Sequence, residues 1–138
     1  MSLASVRAAV AALLGTVPEV AEALPYPPEA VGPLPCAWVG GAQAAVTMGS
    51  PEVWAWRLPV TVAAAARHAS LALELAATEP LVEAVTAAVR AGYTLGGTTF
   101  GLQLQQVSQD VVKVGSEDYV GLTFVFLVKE KRSVSYAG

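Results

Sequence analysis

The chain has 138 residues, 54% of them hydrophobic and 14% charged, and its 8 Lys and Arg against 11 Asp and Glu leave a net charge of −3. Apolar content this high excludes a disordered chain, the length fits one domain over residues 1–138, and the acidic balance argues against a nucleic-acid binder that relies on net positive charge. The longest apolar stretches, such as Val60–Ala66, fall far short of the roughly 18 residues of a membrane span, and Met1–Ser5 lacks the basic start and apolar core of a secretory signal.

Leu3, Val6, Val10, Leu13, Leu14 and Val17 recur at spacings of three and four, which predicts an amphipathic helix over residues 3–15 that stops at Gly15. Pro18 suits the first position of a further short helical turn through Leu24. Pro25, Pro27, Pro28, Pro33 and Pro35 then force an extended or turning passage, because each lacks an N–H and restricts the residue before it. Leu34, Cys36 and Trp38 predict a short strand ending at Gly40-Gly41, with a weaker strand over 43–48. Beyond the Gly49-Ser50-Pro51 turn, Trp54, Trp56, Leu58, Val60 and Val62 share one parity, the pattern of a half-buried strand. Pro59 places that strand at an edge or places a bulge within it.

Residues 69–77 fit either a helical lead-in or a packed loop. Thr78 as N-cap, Glu79 and Pro80 in the first turn, and Arg90 and Gly92 at the end frame a second helix over 78–91. Phe100, Leu102 and Leu104 alternate with polar neighbours until the pattern slips at Gln106, as a bulge would make it. Val120, Leu122, Phe124, Phe126 and Val128 give the longest alternation, so the two runs read as a hairpin with a long charged tip around Gly115-Ser116-Glu117. The order predicts an α+β fold: an antiparallel sheet of about four strands with two main helices packed on one face.

Catalytic and metal chemistry finds little to work with. His68 is the single histidine and Cys36 the single cysteine, so two-histidine and structural zinc sites are excluded, as is an intramolecular disulfide. Cys36 reads as a buried small hydrophobe. Gly49-Ser50 and Gly115-Ser116 lack the rest of a nucleophile elbow that His68 could serve. Gly96-Gly97-Thr98-Thr99-Phe100-Gly101 joins a helix to a following strand, the wrong polarity for a phosphate loop, and reads as a tight turn. Glu79 and Glu83 share a helix face and read as solvated. No cofactor is expected. Trp54 and Trp56 are core residues by their register with Leu58 and Val60, or interface residues if exposed. The polar run from Lys129 through Lys131 and Arg132 to Gly138 leaves the strand, and over 130–138 it is either a frayed tail or an arm that docks on assembly. The absence of Ile and Asn fits either a GC-rich genome or selection for heat tolerance, and a source that is both thermophilic and GC-rich is the favoured expectation.

Ala91-Gly92-Tyr93-Thr94-Leu95-Gly96-Gly97 at the helix exit, then a strand, a charged turn and Asp118-Tyr119-Val120-Gly121-Leu122-Thr123-Phe124-Val125-Phe126, resembles the tail-terminator or tail-completion proteins of long-tailed phages. Across most of the chain the element order is similar too: an N-terminal helix, a Pro-rich passage, a strand, a helix and a closing hairpin. The resemblance implies a non-enzymatic ring, typically of six copies. Such a ring sits on the head-proximal end of the tail tube, ends tube growth and joins the head connector. It also implies a virion protein assembled in the host cytoplasm, with DNA passing through its lumen without specific binding and no membrane partner. Lys113, Glu117 and Asp118 at the hairpin tip, with Trp54, Trp56, Lys129, Lys131 and Arg132, become the candidate subunit or tube contacts. Two other readings remain open: a head-completion or connector protein of the phage neck, and a small ligand-binding α+β domain with Trp54, Trp56 and Phe100 lining a pocket.

Overall fold

The computed structural model describes residues 2–68, 70–92 and 101–132. Their order is α1 (Leu3–Gly15), β1 (Glu22–Leu24), β2 (Cys36–Val39), β3 (Gln43–Thr47), β4 (Glu52–Ala66), α2 (Leu71–Ala76), α3 (Glu79–Ala91), β5 (Gly101–Val114) and β6 (Glu117–Arg132). The fold is α+β, as expected, but its sheet is mixed and has six strands rather than about four antiparallel ones. The strands run β1-β2-β4-β6-β5, with β3 on the same side of β4 as β2. β1 is the source of the parallel pairing: Glu22–Leu24 lies beside Cys36–Trp38 in the same direction. The short turn expected at Pro18 forms, with Val17 C=O accepting from the Val20 N–H at 3.0 Å, but it does not reach Leu24, because Glu22–Leu24 is a strand. The Pro-rich passage explains the change, because it carries the chain back across the sheet and leaves Pro35 C=O to accept from the Ala21 N–H at 2.8 Å.

Helices α1 and α3 form where the apolar spacing and end signals place them. Ser2 caps α1 in a reciprocal capping box with Ser5, and Val6, Val10 and Leu14 turn inward. Leu81, Val85 and Val89 do the same in α3. Both helices cover one sheet face, where Leu58, Val60 and Val62 of β4 meet Leu122, Phe124 and Phe126 of β6 in a continuous core. The undecided stretch at 69–77 contains α2, capped by Ser70 and without a buried residue. Thr78 does not cap α3 with its side chain. Because α2 runs almost directly into α3, the Thr78 hydroxyl instead donates to Leu75 C=O at 2.7 Å and accepts from Gln109 Nε2 at 3.0 Å.

β4 is interior to the sheet, so Pro59 does not mark an edge. β2 and β3 lie end to end along one side of β4, opposite Val60–Ala63 and Val53–Arg57 respectively. The break between them falls beside Pro59, and there Gly40 N–H donates to Pro59 C=O at 2.7 Å. A proline is tolerated because its missing donor faces this interruption.

The slip at Gln106 is a true register shift of β5 against β6 between Leu104 and Gln106. A second shift lies between Ala63 and Ala65 of β4, against β6. The hairpin tip is shorter than expected: Val114 pairs with Glu117 around Gly115-Ser116, and Gly115 takes φ +63°. Only a two-residue turn fits, since pairing persists to the last residue of each arm. At the other end β6 does not leave the sheet at Lys129 but continues to Arg132, opposite Glu52. Of the expected arm at 130–138, residues 133–138 lie outside the described residues, as does most of the turn at 96–101.

Candidate functional site

Strand alternation divides the candidate residues among three places. The first is the helix-side face at the far end of β4 and β6, where Glu52, Trp54 and Trp56 stand opposite Arg132, Glu130 and Val128. Trp54 and Trp56 stack with centroids 5.3 Å apart. Trp56 is buried, and its indole N–H donates to Glu130 Oε1 at 3.1 Å. The half-buried Trp54 donates to Glu52. Arg132 lies over the Trp54 ring at 4.0 Å and gives Glu130 Oε1 two further bonds, from Nε at 2.9 Å and Nη2 at 2.6 Å. Glu130 is 3% exposed, and its other oxygen, Oε2, has no hydrogen-bond partner among the described residues. Trp54, Trp56 and Arg132 are thus brought together around two carboxylates that sequence reasoning missed. The available signal was parity: Glu52 shares it with the tryptophans, and Glu130 with Arg132.

The second place is the hairpin tip, where Lys113, Glu117 and Asp118 are all exposed, with Lys113 opposite Asp118. The distance along β6 from Asp118 to Glu130 is about 40 Å at the rise of an extended strand. The candidate contacts therefore form two groups at opposite ends of the molecule. Near the tip the Pro-rich passage covers the second sheet face, where Val31 and Leu34, like Tyr119 of β6, pack against Cys36, Trp38 and Ala63. Burial, reinforced by the nearby Glu22 charge, pushes the Cys36 thiol up from its ordinary value of 9.0.

The third place is the rest of that second face, which no helix or loop covers among the described residues. Arg57, Lys129 and Lys131 share its parity. A hollow of about 250 Å³ opens there between Gly41, Gln43, Arg57, Pro59 and Val125. A hollow of about 540 Å³ lies instead between α3 and β5, lined by Thr86, Val89, Arg90, Leu102, Gln103 and Leu104. Neither is lined by Trp54 or Trp56, and Phe100 lies outside the described residues.

Residues weighed for catalysis are scattered. His68 is exposed, and its backbone N–H donates to Glu74, which also pairs with Arg67 at 2.8 Å. Glu79 and Glu83 are exposed on α3. Among the described residues no group of three or more His, Cys, Asp or Glu side chains is placed to hold a metal ion, and no helix is long and apolar enough to cross a membrane. Arg7 is a further residue the sequence reading missed. Buried in the apolar stripe of α1, it donates to Pro25 C=O at 3.0 Å and Val39 C=O at 2.8 Å and sits over Tyr26 at 4.7 Å, tying the helix to the Pro-rich passage. Its place three residues from Val10 and four from Leu3 is the signal for an inward cation. In comparison with known proteins, no family model matches the chain and no curated protein matches it.

Proposed function

We propose that the chain is a structural, non-enzymatic subunit of a phage tail-terminator ring, of six copies, that ends the tail tube and joins it to the head connector. The observation that carries this reading is a sheet with free edges on opposite sides among the described residues. β3 has a strand neighbour only in β4, and the 14-residue β5 only in β6. β3 is exposed along its whole length, carries neither charge nor proline, and is followed by the exposed Met48. Natural edge strands are usually guarded by such residues, so an unguarded edge suits pairing with another chain. Two different edges meeting in succession make a heterologous contact, and a closed rotation turns that contact into a ring. The charged groups about 40 Å apart along β6 suit one contact with the tube and another with the connector. In this reading the protein resides in the virion neck and is assembled in the host cytoplasm.

The test is to add the purified protein to polymerising tube subunits of the same phage. The reading predicts short tubes capped at one end, and it predicts that Lys113→Glu, Glu117→Lys and Asp118→Lys combined abolish capping while the monomer stays folded. Uncapped tubes, or binding only to the portal side of filled heads, would contradict it, and the second outcome would favour a head-completion protein.

A further inference from the structure

The net charge of −3 conceals a segregation of charge between the two faces of the sheet. On the uncovered face, Arg57 stands opposite Leu127, Lys129 opposite Ala55 and Lys131 opposite Val53, so the three cations occupy successive rungs of the β4–β6 ladder. Arg57 and Lys129 are diagonal neighbours, about 7–8 Å apart at the backbone. Neither has an ion-pair partner among the described residues. The side chains sharing this face around them are uncharged: Gln43 and Ala45 on β3, Thr123 on β6, and Gln103, Gln106 and Ser108 on β5. The acidic residues of these strand ends, Glu52 and Glu130, point to the other face and are engaged there with Trp54, Trp56 and Arg132. The nearest acid of this face along the strands is Asp110, opposite Gly121, six residues of β6 from Leu127 and so about 20 Å away.

We propose that this uncovered face is a phosphate-contacting surface for duplex DNA, with Arg57, Lys129 and Lys131 meeting the backbone among neutral hydrogen-bonding side chains. The occupant follows from the chemistry of the face. Arg57 and Lys129 have no ion-pair partner among the described residues, the amide and hydroxyl groups around them bond phosphate oxygens, and among the described residues no exposed aromatic ring on this face could stack on the bases of a single strand. Three phosphate contacts give weak binding that tolerates any sequence and permits sliding, and the surplus acid elsewhere on the chain keeps it weak. The inference goes beyond the ring reading and applies to the single subunit. In a closed ring the same face repeats in every copy, and its contacts add.

The experiment is a titration of the isotopically labelled full chain with a short DNA duplex at low salt, followed by amide shifts and by anisotropy of labelled DNA across a salt series. Expected are shifts confined to residues 53–57, 123–131 and the facing parts of β3 and β5, and a log–log salt slope that falls by about 2–3 in the Arg57→Gln, Lys129→Gln, Lys131→Gln variant. Arg90→Gln, on the helix side, serves as the control and leaves the slope unchanged. No binding at low salt, shifts mapping elsewhere, or an unchanged slope in the triple variant would each overturn the proposal. Loss of self-association in that variant, with no DNA binding by the parent chain, would assign the face to a second copy instead. Oligomeric state is read separately, so a ring that ignores DNA defeats only this inference, and a monomer that binds DNA defeats only the ring.

Discussion

The two faces of one sheet are built by the same strands yet behave as different materials. Leu58, Val60, Phe124 and Phe126 fill the helix-covered face, whereas Arg57, Thr61, Thr123 and Leu127, each one residue removed, occupy the other. Burial on a single face pins the register, since a slip of one residue would move every apolar side chain into water. The opposite face is then free to carry charge without risk to the fold. That freedom explains why net charge describes neither surface.

The largest expected effect comes from testing that division directly. Phe124→Ala should cost about 3–5 kcal/mol in chemical unfolding, because it empties the middle of the core. Thr123→Ala, its neighbour on the other face, should change stability by no more than about 0.5 kcal/mol. Equal losses would mean that the second face is covered as well. Gly121→Ala comes next. A Cβ there would collide with the backbone carbonyl of Val62, so the strands could no longer approach beside the β4 register shift. The cost should be about 2–3 kcal/mol, measured by the same unfolding.

Glu130→Ala sharpens the contrast within the helix-side face, between its apolar centre and its polar end. It removes the acceptor shared by Trp56 and Arg132 and should cost about 1–3 kcal/mol. Tryptophan emission should change with it, reporting the freed indole. A variant with unaltered emission would show that the network does not hold Trp56. The smallest effect concerns pH. Cys36 has a raised folded-state pKa, so its contribution to stability is present below the ordinary thiol value of 9.0 and is lost as pH rises through the folded value. Between about pH 8 and about pH 10 the parent chain should lose more stability than Cys36→Ala does.

Much of the fold could be read where one physical period dominates. The alternation through Trp54–Val62 and Val120–Val128 was plain because one face is buried, and α1 and α3 showed a single inward stripe. β1 carried no such signal: its three residues are all half-buried, and its parallel partner is reached only after the prolines have turned the chain. α2 has no buried residue, so periodicity could not separate it from a loop. The candidate site was legible as residue types but not as an arrangement. Trp56 and Glu130 are 74 positions apart, and only the register of β4 against β6 brings them into contact. The charge segregation behind the uncovered face was hidden for the same reason.

Native mass spectrometry of the full chain across a concentration series tests the central claim most directly, because a subunit with two free, unlike sheet edges should close on itself. The account predicts a closed six-subunit ring that gains population with concentration, without a ladder of open chains. A monomer at every concentration up to the solubility limit, both alone and with purified tail tubes, would contradict it.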